Sequence, residues 1–86
     1  MAFIVDEKMA ADNITNSIYQ CSGLIKQVEL FDEFKSDKFG KSKKNLAFHI
    51  YFQAADKTLK DNQVDEIIKE IIKLVEKAHK AKLRNR

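Results

Sequence analysis

The sequence contains no proline, only two glycines and a single cysteine. A chain so poor in proline and glycine is neither collagen-like nor a disordered sequence rich in those residues. Cys21 cannot form an intrachain disulfide, which favours a reducing compartment, and its apolar helical context favours a buried structural thiol over a nucleophile. No apolar run approaches the roughly 20 residues of a membrane span, and the first residues lack a signal-peptide pattern. We therefore expect a soluble, cytoplasmic protein with no membrane partner.

The composition is that of a compact globular chain, with 44% hydrophobic and 34% charged residues. A length of 86 residues suits one domain, residues 1–86, and is too small for a catalytic domain and a binding domain together. The apolar run "AFIV" starts directly after Met1. This abrupt start leads us to expect a piece excised from a longer protein.

The net charge of +3 is unevenly distributed along the chain. One segment contains five lysines and a single acid, Asp37; its lysines are Lys35, Lys38, Lys41, Lys43 and Lys44. The chain after Glu76 contains cations and no acid; these are Lys77, Lys80, Lys82, Arg84 and Arg86. Two basic clusters indicate a polyanionic partner, although lysine-rich turns and tails that are simply solvated remain the alternative.

Hydrophobic periodicity predicts four strands and two helices. Helical spacing predicts one helix at residues 9–21, ended by Gly23, and another through the stripe Val64, Ile67, Ile68, Ile71, Ile72, Val75 and Ala78. Asp61 is the expected N-cap of the second helix, after a polar connection at residues 56–61. Strands are predicted at residues 2–5, 24–34 and 45–53 and around Leu83, with residues 35–44 as a loop.

The order β-α-β-β-α-β is the split arrangement of an α+β, ferredoxin-like sandwich, in which two helices cover one face of an antiparallel sheet. Alternation in the third strand places Leu46, Phe48, Ile50 and Phe52 toward the core and Ala47, His49, Tyr51 and Gln53 on the open face. Aromatic rings beside lysines on an open sheet suit single-stranded RNA. Because this fold hosts many functions, a regulatory domain for a small ligand and a protein-docking module remain alternatives.

Enzymatic functions lack the necessary residues. The sequence has no phosphate-binding glycine loop, no metal-ligand spacing and no arrangement of nucleophile and base. His49 and His79 lie on different predicted elements without a carboxylate at ligand spacing. We therefore expect no catalytic residue, no metal site and no cofactor in this chain.

Four motifs together resemble one known family. They are "LFDEF" at residues 30–34, "KKNLAFHIYFQ" at 43–53, "DKTLKDNQVDEI" at 56–67 and "AKLR" at 81–84. Their order and spacing are similar to those of the ferredoxin-fold anticodon-binding domain at the C-terminus of the bacterial phenylalanyl-tRNA synthetase beta subunit. The chain departs from the family pattern at Phe34, where a tyrosine is usual, and at Asn45, where a serine is usual. The proline and Arg-Asp that usually precede the first strand are also absent.

The resemblance implies a function and a set of RNA-binding residues. The chain would recognise the anticodon of tRNA-Phe, with Asp32 reading a base, Phe34 stacking on it, and Ala2 letting RNA approach the backbone. A phenylalanine ring keeps the stacking but loses any hydrogen bond from the family's hydroxyl. Further candidates on the sheet are His49 and Tyr51, which would stack or donate to RNA. The phosphate contacts would be Lys35, Lys41, Lys43 and Lys44.

The resemblance also implies the setting in which the domain works. The intact synthetase uses ATP and magnesium, with the chemistry in an alpha subunit and a second heterodimer completing the alpha2-beta2 enzyme. In that enzyme this domain would hold the anticodon far from the chemistry and would not catalyse anything alone.

One difficulty concerns the face on which Asp32 and Phe34 lie. Strict alternation puts both residues on the side of Val28 and Leu30, which the sequence assigns to the core. A β-bulge, a twist or the end of the strand is needed to turn them outward. Otherwise Phe34 would cap the edge of the core and Asp32 would cap a turn.

Overall fold

A computed structural model of the chain describes residues 1–53 and 61–84. These residues contain four strands, two α-helices and one short 3-10 helix. In chain order they are β1 (Ala2–Asp6), α1 (Ala11–Gln20), β2 (Ile25–Lys35), the 3-10 helix (Asp37–Phe39), β3 (Lys43–Phe52), α2 (Asp61–His79) and β4 (Lys82–Leu83). The predicted connection at residues 56–61 and the capping side chain of Asp61 lie outside the described residues.

The four strands form one antiparallel sheet in the order β2-β3-β1-β4. Strand β1 pairs with both β3 and β4, so the strand predicted around Leu83 is confirmed as the short edge strand of the sheet. This order and the alternation of strands with helices confirm the ferredoxin-like α+β fold.

Both helices pack on the same face of the sheet. The fully buried side chains come from the alternate positions of β1 and β3 and from the apolar stripes of both helices. They include Phe3, Val5, Leu46 and Phe48 from the sheet and Ile14, Ile18, Ile71 and Val75 from the helices. The predicted inward alternation of β3 is therefore confirmed, with Ile50 and Phe52 half-buried at its end. Ala78 is exposed, so the stripe of α2 ends earlier than predicted.

The lysine-rich segment is mostly strand, which corrects the prediction of a loop over residues 35–44. Strand β2 continues through Lys35 and β3 begins at Lys43, so the connection between them is residues 36–42. Gly40 allows this connection, because its φ of 112° is one that residues with a side chain rarely adopt. Lys35 pairs with Lys44 at the end of the β2–β3 pairing. Two lysines can occupy neighbouring strand positions because their apolar stems lie along the sheet while their ammonium groups reach carboxylates.

The end of α1 also differs from the prediction. The helix ends at Gln20, with Cys21 in right-handed helical geometry as its C-cap. The backbone N–H of Cys21 donates to the Ile18 carbonyl at 3.0 Å, which closes the last turn without a left-handed residue. Gly23 lies in the following turn and is not among the residues with positive φ.

Cys21 has the environment of a structural thiol. Its Sγ donates to the Ser17 carbonyl at 3.5 Å, and the side chain packs against the core. Burial raises the pKa of the Cys21 thiol, and the negative charge of Glu70 raises it further. A raised pKa disfavours the thiolate, so this cysteine is a poor nucleophile.

Helix α1 also stabilises an irregular position in β2. The pairing of β2 with β3 shifts between Ile25 and Gln27, which leaves Lys26 without a directly opposed residue. Just beyond this shift the Val28 N–H donates to the Tyr19 hydroxyl at 2.8 Å. The tyrosine therefore supplies an acceptor to a strand amide beside the irregularity.

We predict that Tyr19→Phe lowers the free energy of unfolding by about 1 kcal/mol, because it removes one partly buried hydrogen bond and little volume. Urea denaturation of the wild type and the variant measures this change. Tyr51→Phe is the matched control, because its hydroxyl bonds exposed Glu29 at 3.4 Å, and its loss is expected to change stability by less than about 0.5 kcal/mol. Equal effects of both substitutions would contradict the role given to Tyr19.

Candidate nucleic-acid interface

A β-bulge at Phe31 sets the direction of the side chains that follow it in β2. Leu30 is opposite Phe48, and Asp32 is opposite Ala47, so Phe31 is one extra residue in β2. Directly opposed residues share a face of a sheet. Leu30 therefore faces the helices with Phe48, whereas Asp32 is on the open face with Ala47. The bulge resolves the difficulty posed by strict alternation.

Asp32 and Phe34 consequently lie on the open face, two residues apart. Phe34 is opposite Asn45, which follows the same parity as Ala47. Asp32 is exposed within β2, so it does not cap a turn. Phe34 is 38% exposed and lies on the open face, so it does not cap the edge of the core. Both alternatives considered from the sequence are wrong.

These two side chains line an open groove of about 690 Å³. Its floor contains Ala2, Asn45 and Ala47, from adjacent strands β1 and β3. The alanines leave room above the sheet that larger side chains would fill. The complete lining is Met1, Ala2, Phe31, Asp32, Phe34, Asn45, Ala47 and Arg84. The groove thus combines a carboxylate, an amide, a guanidinium and two aromatic rings, which is a suitable set for a planar polar ligand such as a base.

Asn45 is a groove residue that the sequence analysis noted only as a departure from the family pattern. The side chain is 1% exposed, and its Oδ1 is buried with no hydrogen-bond partner among the described residues. A buried acceptor without a partner costs about 1–3 kcal/mol. Alternation with core residue Leu46 was the available signal for its face. Its lack of a partner depends on the three-dimensional surroundings.

Arg84 is the second groove residue that was not singled out. Its backbone N–H donates to the Ala2 carbonyl at 2.9 Å, one residue beyond β4. Its guanidinium carbon lies 4.8 Å from the centroid of Phe39 and 6.0 Å from that of Phe34. The signals in the sequence were the basic cluster after Glu76 and the motif AKLR, and neither assigned a role to Arg84.

The predicted residues His49 and Tyr51 lie on the open face outside this groove. The His49 ring stacks on Phe31 with centroids 3.9 Å apart, and Tyr51 follows at 6.2 Å from His49. Tyr51 also donates to Glu29 Oε1 at 3.4 Å. We call His49 and Tyr51 the aromatic strip. Both side chains are exposed next to the groove and available for stacking, but neither lines the groove that contains Asp32.

The four predicted lysines divide between two faces and a turn. Lys44 is buried on the helix-facing side, where its ammonium bonds Glu33 Oε2 at 2.6 Å. Lys35 shares that side by register, and its ammonium is 2.9 Å from Glu7 Oε2. Lys43 lies on the open side opposite Asp6, and Lys41 is exposed in the turn. The expectation that all four project from one loop is therefore wrong, because two of them extend the ladder and bind carboxylates.

Within residues 1–53 and 61–84, no group of three or more His, Cys, Asp or Glu side chains is arranged to hold a metal ion. Neither helix in those ranges is long and apolar enough to cross a membrane.

The sequence matches the family model described as the ferredoxin-fold anticodon binding domain, over residues 1–84. It is 35% identical to the phenylalanine-tRNA ligase beta subunit of Corynebacterium glutamicum over 98% of this chain. It is 40% identical to that of Corynebacterium diphtheriae over 77% of the chain, and 36% identical to that of Dehalococcoides mccartyi over 85%. The matched regions span only 8% to 10% of these relatives' lengths.

Proposed function

Because the chain belongs to the family of ferredoxin-fold anticodon-binding domains, we propose that its open face recognises the anticodon of tRNA-Phe. The observation that carries this proposal is the bulge at Phe31, which turns Asp32 and Phe34 toward one groove on the uncovered face of the sheet. A ring that stacks on a base and a carboxylate beside it are the two elements of base recognition in a single strand.

Each polar group of the groove has a distinct role in the proposed complex. The Asp32 carboxylate accepts from the amino and imino groups of a base, which distinguishes bases by their donors. Asn45 lines the groove with an acceptor that is buried and unpartnered in the free protein, so a donor from RNA would recover free energy there once the side chain turned toward the groove. Phe34 supplies the stacking surface and no hydroxyl, so phenolic recognition is not part of the proposal.

The aromatic strip and the cations complete the proposed interface. His49 and Tyr51 would stack on nucleotides that flank the bound base, and Ala2 would allow close approach of RNA above β1. Lys41 and Lys43 are proposed phosphate contacts, together with Lys82, whose register with Ile4 places it on the same side. Lys35 and Lys44 would contribute only if they left the carboxylates that they bind.

The wider setting is proposed from the relatives. We propose that residues 1–86 form one anticodon-binding domain of a longer phenylalanine-tRNA ligase beta subunit, working in the cytoplasm with an alpha subunit and a second heterodimer. In this proposal the domain holds tRNA and has no catalytic activity or cofactor of its own. The ATP- and magnesium-dependent joining of phenylalanine to tRNA occurs elsewhere in the enzyme.

An NMR titration of the labelled chain tests the proposed function. We predict that an anticodon stem-loop of tRNA-Phe shifts the amide signals of Asp32, Phe34, Asn45 and Ala47. The same hairpin with a scrambled anticodon should shift them less, at both low and moderate salt. Affinity for both hairpins should fall as salt rises, because phosphate contacts release counterions.

The comparison between the two hairpins decides the outcome. Equal shifts and equal affinities would leave a basic RNA-binding surface without anticodon recognition and would contradict the proposal. Shifts confined to the helical face would contradict the assigned site, because α1 and α2 cover the other side of the sheet.

A further inference from the structure

Two planar groups lie near one another in the groove. The Arg84 guanidinium lies over the Phe34 ring at 6.0 Å, and both side chains line the groove. Arg84 comes from the segment after β4, at one edge of the sheet, whereas Phe34 comes from β2 at the other edge. The arginine side chain therefore extends across the open face above β1 and β3.

Two interactions hold the guanidinium in this position. At the base of the residue, the Arg84 N–H is fixed to the Ala2 carbonyl at 2.9 Å. At the tip, the guanidinium carbon lies 4.8 Å from the centroid of Phe39, within the range of a cation–π interaction. Phe39 does not line the groove, and it comes from the 3-10 helix between β2 and β3. It therefore supports Arg84 from outside the binding space.

We propose that Arg84 forms the second face of the base-binding site, so that a base stacks between the Phe34 ring and the Arg84 guanidinium. This inference rests on the proposed RNA-binding function and adds a specific residue to it. Arginine guanidinium planes and aromatic rings are the two protein surfaces on which unstacked bases lie.

The distance between the two groups is slightly shorter than the spacing that a base stacked between them would need. A base between two planes needs about 6.8 Å, twice the rise of about 3.4 Å per base along one strand. The 6.0 Å between the guanidinium carbon and the Phe34 centroid is within about 1 Å of that requirement. A long, exposed side chain can make this adjustment while Phe39 continues to support it.

A phosphate contact is the alternative role for Arg84. Substitution by lysine distinguishes this role from stacking. Lysine has the same charge as arginine but has no planar guanidinium, so it can contact phosphate but cannot stack in the same way. Arg84→Lys therefore keeps a phosphate contact and removes a stacking partner. Arg84→Ala removes both.

The experiment measures the affinity of the full 86-residue chain for the tRNA-Phe anticodon stem-loop by fluorescence anisotropy. We predict that Arg84→Ala weakens binding about tenfold and that Arg84→Lys weakens it to within about twofold of Arg84→Ala. Lys77→Ala removes one exposed cation from α2, away from the open face, and should bind within about twofold of wild type. Wild-type affinity in Arg84→Lys would overturn the stacking proposal and support a phosphate contact.

A double-mutant cycle tests whether Phe39 acts through Arg84. Phe39→Leu should weaken binding about threefold in the wild-type background and by a smaller factor in the Arg84→Ala background, where only its contact with the Phe34 ring, at 5.4 Å between centroids, remains. Thermal unfolding of each variant separates loss of folding from loss of binding. Additive losses in the cycle would contradict the positioning role of Phe39.

The outcome for wild type separates this inference from the proposed function. If wild type prefers the cognate hairpin but Arg84→Lys binds equally well, the stacking role is wrong and anticodon recognition stands. If wild type binds cognate and scrambled hairpins equally, anticodon recognition is wrong, whatever Arg84 contributes to affinity.

Discussion

Simultaneous substitution of Asp32 and Phe34 by alanine is expected to abolish preferential binding of the cognate anticodon hairpin. Both side chains line the groove on the open face, because the bulge at Phe31 places Asp32 opposite Ala47 and Phe34 opposite Asn45. Both are exposed, so the double substitution removes the ring and the carboxylate without opening a cavity in the core.

The expected loss is large because two interactions disappear together. Stacking on an aromatic ring and a good polar contact to a base edge are each worth about 1–3 kcal/mol. Their combined loss is at least about 2 kcal/mol, or about 30-fold in affinity. Anisotropy titrations of the double variant with cognate and scrambled hairpins measure both affinity and preference.

Phe31→Ala is the matched control for the double substitution. It keeps Asp32 and Phe34 in place and removes the neighbouring exposed ring, which stacks on His49. We expect this variant to retain the cognate preference and to lose no more than about threefold in affinity. A well-dispersed amide spectrum of the double variant, together with wild-type preference, would show that Asp32 and Phe34 do not determine recognition.

The regular parts of the fold were predictable because burial imposes a period on the sequence. Alternation of Leu46 and Phe48 with Asn45 and Ala47 identifies β3 and its two faces. The spacing of Ile71 and Val75 identifies α2 in the same way. These signals are local, since each comes from a single element that faces one core.

The bulge at Phe31 is not predictable from local pattern alone. Apolar Leu30 and Phe31 are adjacent, so either residue is acceptable as the inward one, and the composition of β2 does not identify the extra residue. The resemblance to anticodon-binding domains created a conflict with strict alternation and so made an irregularity necessary. Pairing with β3 was required to locate it.

The position of Arg84 was unpredictable for a different reason. Its partners, Phe34 and Phe39, are about 50 residues earlier in the chain, and contact requires that β1 lie between β3 and β4. Lys44 illustrates the same limit, because its burial follows from pairing with β2 and from the nearby Glu33 carboxylate. Charge counts indicate that cations are present, whereas the sheet order determines which of them reach the open face.

The groove also combines features that do not favour the stability of the free protein. Phe31 and Phe34 are exposed aromatic rings, and Asn45 has a buried acceptor without a partner among the described residues. Partly exposed rings leave apolar area in contact with water in the free chain, and an unpaired acceptor has a cost in free energy. Their concentration around Asp32 is what a binding surface requires, because ligand binding can supply the missing contacts.

Asp32→Asn is expected to remove most of the discrimination between anticodons while leaving the fold intact. Asparagine has nearly the same shape but has one acceptor oxygen and no negative charge. Asp32 is exposed on the open face, so its substitution leaves the core unchanged. A hydrogen bond to a charged group is worth about 1.5–3 kcal/mol, so cognate affinity should fall about 10- to 150-fold.

Hairpins with single anticodon substitutions provide the measurement for Asp32→Asn. If the carboxylate reads base donors, the variant should lose affinity for the cognate hairpin and keep or gain affinity for the others, because the charge that repels phosphate is removed. Glu29→Gln is the matched control, since it removes the same charge from the same face of β2 outside the groove. A similar change of preference in both variants would mean that the general field, and not the Asp32 contact, determines discrimination. A loss confined to Asp32→Asn places base recognition at the carboxylate that the Phe31 bulge turns outward.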